Sequence, residues 1–412
     1  MTPIRGAWLL LGLSAVAPVQ ALAEPLRYAI LGSLGAVHDD NLYRLSPIEK
    51  TTLGPALKSI DDEVLVPRAA LDVHIPLSLQ DLQFRGAVGS RNHARNTNVD
   101  SREYALLARL TGPITQACHA TVLVEQTRRL GVADDLDTPG ANVKRERHAE
   151  IAGDCAVTPR LTIAAGADYR EQTSPDRERS RSDLEETAVT TRITHGEAET
   201  LQIFAGVSYR FREQPNFLSF VFGRTRARAT IWAGGGGGAW AVSPKFRLSG
   251  AAYLTSLNEN TQRRNERGFV SVDASADWEV SVKTKLKLYA TRELTVSPNV
   301  GAIAFPQWLV GGLVTWDATP KLSSTFSLQR RRRDILRDRF PVLTDPLSRR
   351  ERDTTVSADL AVLYAMDDSL KLRLGVDYRR RTANFEDLRF KASTVSVGLV
   401  YHFAGVPFET GL

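Results

Sequence analysis

Soft and metal-seeking side chains are scarce: 412 residues carry two cysteines, two methionines and seven histidines. Cys118 and Cys155 are too few for a disulfide scaffold, and no His/Cys group has the spacing of a zinc site. His38, His74, His119, His148, His195 and His402 are scattered, and no Ser/His/Asp set converges by spacing. Neither an enzyme nor a bound metal or organic cofactor is expected. The glycines of "WAGGGGGAW", Trp232 to Trp240, lack a following Gly-Lys-Ser/Thr and a helix, which excludes a phosphate-binding loop. After the first nineteen or so residues no apolar run reaches about 18, so no transmembrane helix is expected. Charge of one sign is not in large excess either: 53 Lys+Arg face 47 Asp+Glu, a net charge of +6. Mean hydropathy is −0.21. These bulk values suit a soluble two-domain protein. They suit a membrane barrel equally well, because its strands alternate lipid-facing apolar residues with lumen-facing polar ones.

What is present begins with an export signal. Arg5 is a positive n-region, the stretch from Gly6 to Val19 is apolar, and Ala21-Leu22-Ala23 is a small-x-small cleavage site before Glu24. The expected organisation is a signal peptide at 1–23 and one domain at 24–412. Such a route argues against a nucleic-acid partner, although Arg330–Arg333 is a run that nucleic-acid binders often carry.

Period two runs through the rest. In "KLRLGVDYRR", Leu372, Leu374, Val376 and Tyr378 share one face, and Lys371, Arg373, Asp377 and Arg379 share the other. "FVSVDASADW" sets Val270, Val272, Ala274, Ala276 and Trp278 against Ser271, Asp273, Ser275 and Asp277. The alternating stretches are about 10 to 16 residues long, against 5 or 6 in globular sheets. Short turns at "IPLSL", "TGPI", "VTPR", "THGEAE", "VSPK", "SVKTK", "ATPK" and "MDDSL" alternate with longer polar loops. That layout predicts an all-β, antiparallel, up-and-down transmembrane barrel with periplasmic turns and extracellular loops. The spacing predicts 18 strands, with 16 as the fallback because the segments at Asp183–Ile193 and Phe217–Ala227 alternate weakly. Trp240, Trp278, Trp316 and Tyr364 stand about three residues before short turns, and Tyr169, Tyr209 and Tyr378 lie towards the long loops. Two aromatic girdles are what membrane interfaces select.

"LGSLGAVHDDNLYRLS", Leu31 to Ser46, resembles the opening of outer-membrane barrels encoded in exopolysaccharide operons (EpsL-type, related to the porin-like barrel family 2). The matching stretch is Asp39, Asp40, Asn41, Leu42, Tyr43 and Arg44. The hairpins "WAVSPK" and "WDATPK" are similar to that family's as well. The resemblance implies a Gram-negative outer-membrane protein serving polysaccharide export. It also implies insertion by the barrel-assembly machinery and a possible periplasmic export conduit as partner. Such barrels usually stop at a terminal aromatic; here the final strand is expected to reach Phe403, and "AGVPFETGL" follows.

Parity assigns side chains to the lumen, since charge on the lipid face costs about 2–4 kcal/mol at the midplane. The inward cations on this rule are Arg68, Arg85, Arg109, Arg170, Arg192, Arg210, Arg212, Arg226, Arg228, Arg247, Lys285, Lys287, Arg331, Arg333, Lys371, Arg373 and Arg379. The inward acids are Asp72, Glu125, Glu150, Asp168, Asp273, Asp277, Asp359 and Asp377. This predicts a lumen with a two-to-one basic excess. Arg330 and Arg332 share the lipid-facing parity at headgroup height, where lipopolysaccharide phosphates lie. Parity also shifts across the glycine run. Ala229, Ile231 and Ala233 read as outward and so do Trp240 and Val242, which predicts a one-residue bulge in Gly234–Gly238. Cys118 and Cys155 fall at the periplasmic base of one hairpin with outward parity, within reach of a cross-strand disulfide. The expected function is a passive channel exporting an anionic exopolysaccharide. The alternatives are a general or anion-selective diffusion porin, or a non-conducting barrel that docks periplasmic partners. Residues 38–61 form the longest early loop, a candidate lid.

Overall fold

The computed structural model describes residues 26–52, 54, 57–130, 143–175, 180, 183–197, 199–219, 223–260, 267–295, 305–334, 352–384, 386 and 389–404. The expected signal peptide at 1–23 and residues 131–142, 335–351 and 405–412 lie outside them. The first six strands are β1 (Arg27–Asp39), β2 (Asp62–Leu77), β3 (Gln80–His93), β4 (Ser101–Pro113), β5 (Cys118–Leu130) and β6 (Val143–Thr158). Next come β7 (Leu161–Thr173), β8 (Leu184–Gly196), β9 (Leu201–Ser219), β10 (Gly223–Ser243), β11 (Phe246–Glu259) and β12 (Arg267–Ser281). The last are β13 (Thr284–Thr295), β14 (Phe305–Thr319), β15 (Leu322–Asp334), β16 (Arg352–Ala365), β17 (Leu370–Ala383) and β18 (Phe390–Ala404). A short helix, α1 (Pro47–Thr52), lies in the first long loop.

Every strand pairs antiparallel with the next, and β18 returns to β1 through Leu34↔Leu399 and Ala36↔Val397. The sheet is therefore a closed barrel of 18 strands, so every backbone group facing lipid finds a partner and no edge is left. At about 4.8 Å between strands and a tilt near 40°, a circular section is about 35 Å across between backbones. Barrels of this strand number leave an aqueous channel. The strands are 12 to 21 residues long. Asp183–Ile193 falls largely in β8, whereas Phe217–Ala227, expected as a weak strand, holds the end of β9 and the start of β10, with residues 220–222 outside the described ones.

The eight short turns fall at the predicted places, and their sequences explain them. In four, a Ser or Thr hydroxyl accepts the amide of the basic residue two places on. The pairs are Thr158 with Arg160 (3.3 Å), Ser243 with Lys245 (3.3 Å), Ser281 with Lys283 (3.2 Å) and Thr319 with Lys321 (3.2 Å). Proline at the middle position of three of them presets φ for the bend. The same register irregularity precedes each of these turns. Trp240, Trp278, Trp316 and Tyr364 are exposed on the outer wall just above them, forming the periplasmic girdle. Tyr169, Trp232, Trp308 and Tyr378 form the opposite one, and Tyr209 packs on Trp232 with ring centroids 4.5 Å apart.

Strand β10 departs from expectation. No bulge lies within Gly234–Gly238: β10 pairs with β11 unbroken from Ala229↔Glu259 to Ala241↔Arg247, and with β9 from Ala227↔Gln214 to Trp240↔Leu201. The register shifts between Thr225 and Ala227 instead. Parity is thus constant, Trp232 and Trp240 both face out, and Ala229, Ile231 and Ala233 face in. Small apolar residues were assigned to lipid; here Ala227, Ala229, Ile231, Leu257 and Leu294 bury one another, with Phe269 packed against them. The glycines answer a different need, because neighbouring backbones approach closely on both sides. A Cβ on Gly235 would lie 2.1 Å from the Ala252 carbonyl oxygen, and one on Gly236 2.6 Å from that of Phe204.

Candidate functional site: the lumen wall and its outer cap

The corrected parity moves two residues. Arg226 and Arg228 do not face the lumen. Arg228 lies opposite Glu213 on the face that carries Trp232, and Arg226 sits in the register shift. Both guanidinium groups hold Glu213 at 2.9 Å. Charge on the outer face is tolerated here because these residues stand past Trp232, above the apolar band.

The other expected lumen cations do face inward by register: Arg68, Arg85, Arg109, Arg170, Arg192, Arg210, Arg212, Arg247, Lys285, Lys287, Arg331, Arg333, Lys371, Arg373 and Arg379. Many are braced. Arg85 meets Asp72 at 2.9 Å, Arg210 and Arg212 share Glu186 at 3.3 and 2.5 Å, and Lys287 lies 3.6 Å from Asp277. Arg333 and Arg381 share the fully buried Asp353 at 2.6 and 2.9 Å. Arg379 meets Asp377 at 3.2 Å, and Arg192 stacks on Phe204 at 4.7 Å. Arg68, Arg109, Arg247, Lys285 and Lys371 have no carboxylate partner among the described residues.

The two-to-one basic excess does not hold. The same parity turns Glu103, Glu146, Glu186, Glu293 and Asp353 inward, beside Arg91, Arg129, Arg210 and Arg333. The physical reason is desolvation: a cation on a partly buried wall requires a carboxylate across the strand, so cations and acids enter in pairs. The lumen is close to charge-balanced as a whole and uneven in detail. On β17, Lys371 and Arg373 and then Arg379 and Arg381 point inward as two pairs, with Gly375 and Asp377 between them. Arg331 and Arg333 of β15 add to that wall, against Asp353 and Asp359 of β16. The middle of the β10–β11 wall is uncharged, with Ala233, Gly235, Gly237 and Ala239 beside Ser249, Ala251 and Tyr253, between Arg247 and Glu259 at its two ends.

Two hollows open on the inner wall. One of about 520 Å³ is lined by His148, Glu150, Asp168, Arg170, Arg192 and Arg210. Another of about 970 Å³, at the periplasmic ends of β10–β14, is lined by Arg247, Asp277, Lys285 and Lys287. Among the described residues no group of three His, Cys, Asp or Glu side chains is placed to hold a metal ion.

The Asp39–Arg44 stretch runs on from β1 at the outer end. Asn41 is fully buried; its amide nitrogen donates to the carbonyls of Leu45 (3.0 Å) and Lys391 (2.8 Å), and its oxygen accepts the Leu45 amide (2.9 Å). Arg44, at φ 56°, folds back to donate to both Asp39 carboxylate oxygens (2.7 and 2.9 Å) and to the Asn41 carbonyl. Asp40 accepts the Ser393 amide at 2.7 Å. Tyr43 packs with Leu45 and Val99 and donates to Asn96 Oδ1 at 3.1 Å; burial pushes its phenol above the ordinary range. Asp62, fully buried, accepts from the amides of Arg95 (3.0 Å) and Asn96 (2.8 Å) and from the Asn96 side chain (2.9 Å). Ser46 and Glu49 cap α1 reciprocally at 3.1 and 2.9 Å. The first two outer loops are thus one packed cap tied to β18. Hydrogen bonds from the Ser59 hydroxyl and from Arg95 hold the Asp61 carboxyl below its usual range.

At the other end Cys118 and Cys155 lie directly opposite one another on β5 and β6, with Cα atoms 4.1 Å apart, and are joined as a disulfide. Sequence reading missed Glu186, Asp353 and Arg381, whose parity was legible, and buried His93, which sits 3.2 Å from Asp100.

No protein-family model and no curated protein matches the sequence. Solved structures with a similar fold include the apoprotein form of the FrpB iron transporter from Neisseria meningitidis, at TM-score 0.49 and 8% identity over 92% of this chain and 81% of that one. OccAB3 from Acinetobacter baumannii has TM-score 0.47 and 8% identity, covering 91% and 99%. OccK2 from Pseudomonas aeruginosa, solved with glucuronate, has TM-score 0.46 and 10% identity, covering 92% and 98%. At these values the likeness is one of architecture.

Proposed function

We propose that this barrel is a passive outer-membrane channel that exports an anionic exopolysaccharide, as the EpsL-type resemblance implies. The carrying observation is the set of inward cations on β17, Lys371 and Arg373 near the periplasmic turn and Arg379 and Arg381 near the outer end, the latter two braced by Asp377 and Asp353. Within each pair the cations are about 6.6 Å apart, and the two pairs are about 20 Å apart, so an anionic chain meets footholds at two heights. A lumen whose overall charge is nearly balanced does not trap such a chain by its net field. The uncharged middle of the β10–β11 wall gives a moving polymer little to hold it. Energy for transport comes from other components, met at the periplasmic rim. Deleting the gene should abolish surface polymer while uptake of small solutes continues. A Lys371→Glu/Arg373→Glu variant should assemble without restoring the polymer. Normal surface polymer with impaired uptake of small anions would instead assign the barrel to diffusion.

A further inference from the structure

The outer wall is not uniform at its upper rim. Strand register sets Arg330, Val356, Arg380 and Lys391 in one transverse row across β15–β18. The three cations lie on the lipid face, because the next rows down carry Leu328 and Tyr378, then Phe326, Leu360, Val376 and Val395, all exposed. All three are exposed and have no carboxylate partner among the described residues. Asp40, the nearest acid by register, is engaged with the Ser393 amide and makes no ion pair with Lys391. Arg332 stands one step further out.

The height of the row follows from the girdle. Tyr364, at the periplasmic interface, lies opposite Leu322, eight residues from Arg330. At about 3.3 Å per residue and a tilt near 40°, the rise is roughly 20 Å, close to the ~25 Å height of an apolar band. The cations therefore stand at headgroup level of the outer leaflet. Arg380 and Lys391 are on adjacent strands, about 5 Å apart, and Arg330 is about 10 Å from Arg380 across β16. On β6–β7 and β9–β10 the same rim carries its own counter-charges: Glu171 holds Arg147, and Glu213 holds Arg226 and Arg228. On β15–β18 no described carboxylate pairs with Arg330, Arg380 or Lys391.

We propose that Arg330, Arg380 and Lys391 bind the phosphates of a phosphorylated glycolipid of the outer leaflet, its acyl chains lying on the apolar rows beneath. Guanidinium forks suit phosphate oxygens, and the row offers contacts at two separations. A second basic group, Arg102, Arg128 and Arg145 on β4–β6, adjoins Glu171 and serves as the comparison.

The test is lipid retention by the purified full-length protein in native mass spectrometry, with hexa-acylated lipid A carrying two phosphates. The unmodified protein should bind it. Arg330→Gln/Arg380→Gln/Lys391→Gln should weaken binding by about tenfold. These side chains make no internal bonds, so the variant keeps its heat-modifiable migration. The fully dephosphorylated lipid should bind the unmodified protein no better than the phosphorylated one binds the variant. Undiminished binding by the triple variant would overturn the proposal. So would an equal loss from Arg102→Gln/Arg128→Gln/Arg145→Gln, or displacement of the lipid by millimolar inorganic phosphate, which would mark a free-anion site.

Discussion

Asn41 makes three hydrogen bonds with one buried side chain, two within its own loop and one to β18. Asn41→Ala should lower stability by about 1–3 kcal/mol, read as a shift of the urea midpoint, because it strands the Leu45 amide and two carbonyls without partners. Gly235 and Gly268 make a second contrast. A Cβ at Gly235 meets a backbone oxygen at 2.1 Å, whereas at Gly268 nothing lies within 4 Å. Gly235→Ala should impair formation of the heat-modifiable folded barrel, and Gly268→Ala should leave it unchanged. Asp61 gives the cap a pH dependence of known sign. Its carboxyl is held below the ordinary value by Ser59 and Arg95, so its contribution is present above the unfolded pKa of about 3.9 and is lost as pH falls through the lower folded value. Asp62, held low against its burial by the Arg95 and Asn96 amides it accepts, titrates in the same sense, so the hydrogen-exchange protection of those two amides, corrected for intrinsic rates, should hold from pH 7 to 5 and drop below about pH 4.

Along whole strands, alternation was legible wherever one face met lipid, since the membrane rejects charge on that face. It placed Lys371, Arg373 and Arg379 inward on β17 and Arg330 outward on β15. It failed on β10, where alanines and glycines carry no face preference and an apolar patch lies inside the barrel rather than against lipid. The consequence is measurable in planar bilayers. Arg226→Glu/Arg228→Glu should leave ion selectivity unchanged, since both residues stand on the outer side. Lys371→Glu/Arg373→Glu should shift the reversal potential towards cations. The cap was not legible beyond its motif. The bonds that join its two loops link residues more than 30 positions apart, such as Asp62 with Asn96 and Tyr43 with Asn96, and no local pattern announces them.

Taken as a whole, the molecule follows from the count of turns and loops, because an up-and-down barrel is fixed once its strands are numbered. What the count leaves open is how the ring is completed. Seventeen pairings join strands adjacent in sequence, and each can form as soon as its hairpin exists; the eighteenth joins the two ends of the chain. That seam carries a register irregularity between Ile30 and Leu31 and is fastened at its outer end by Asn41 on Lys391 and Asp40 on Ser393. In kinetic terms the barrel has one pairing of very long sequence separation, and loop-closure entropy makes such a pairing the slow one. The residues that begin the family-like motif are thus a latch on the last event of assembly. Weakening them should prolong the life of an open sheet more than it shortens the life of the closed ring.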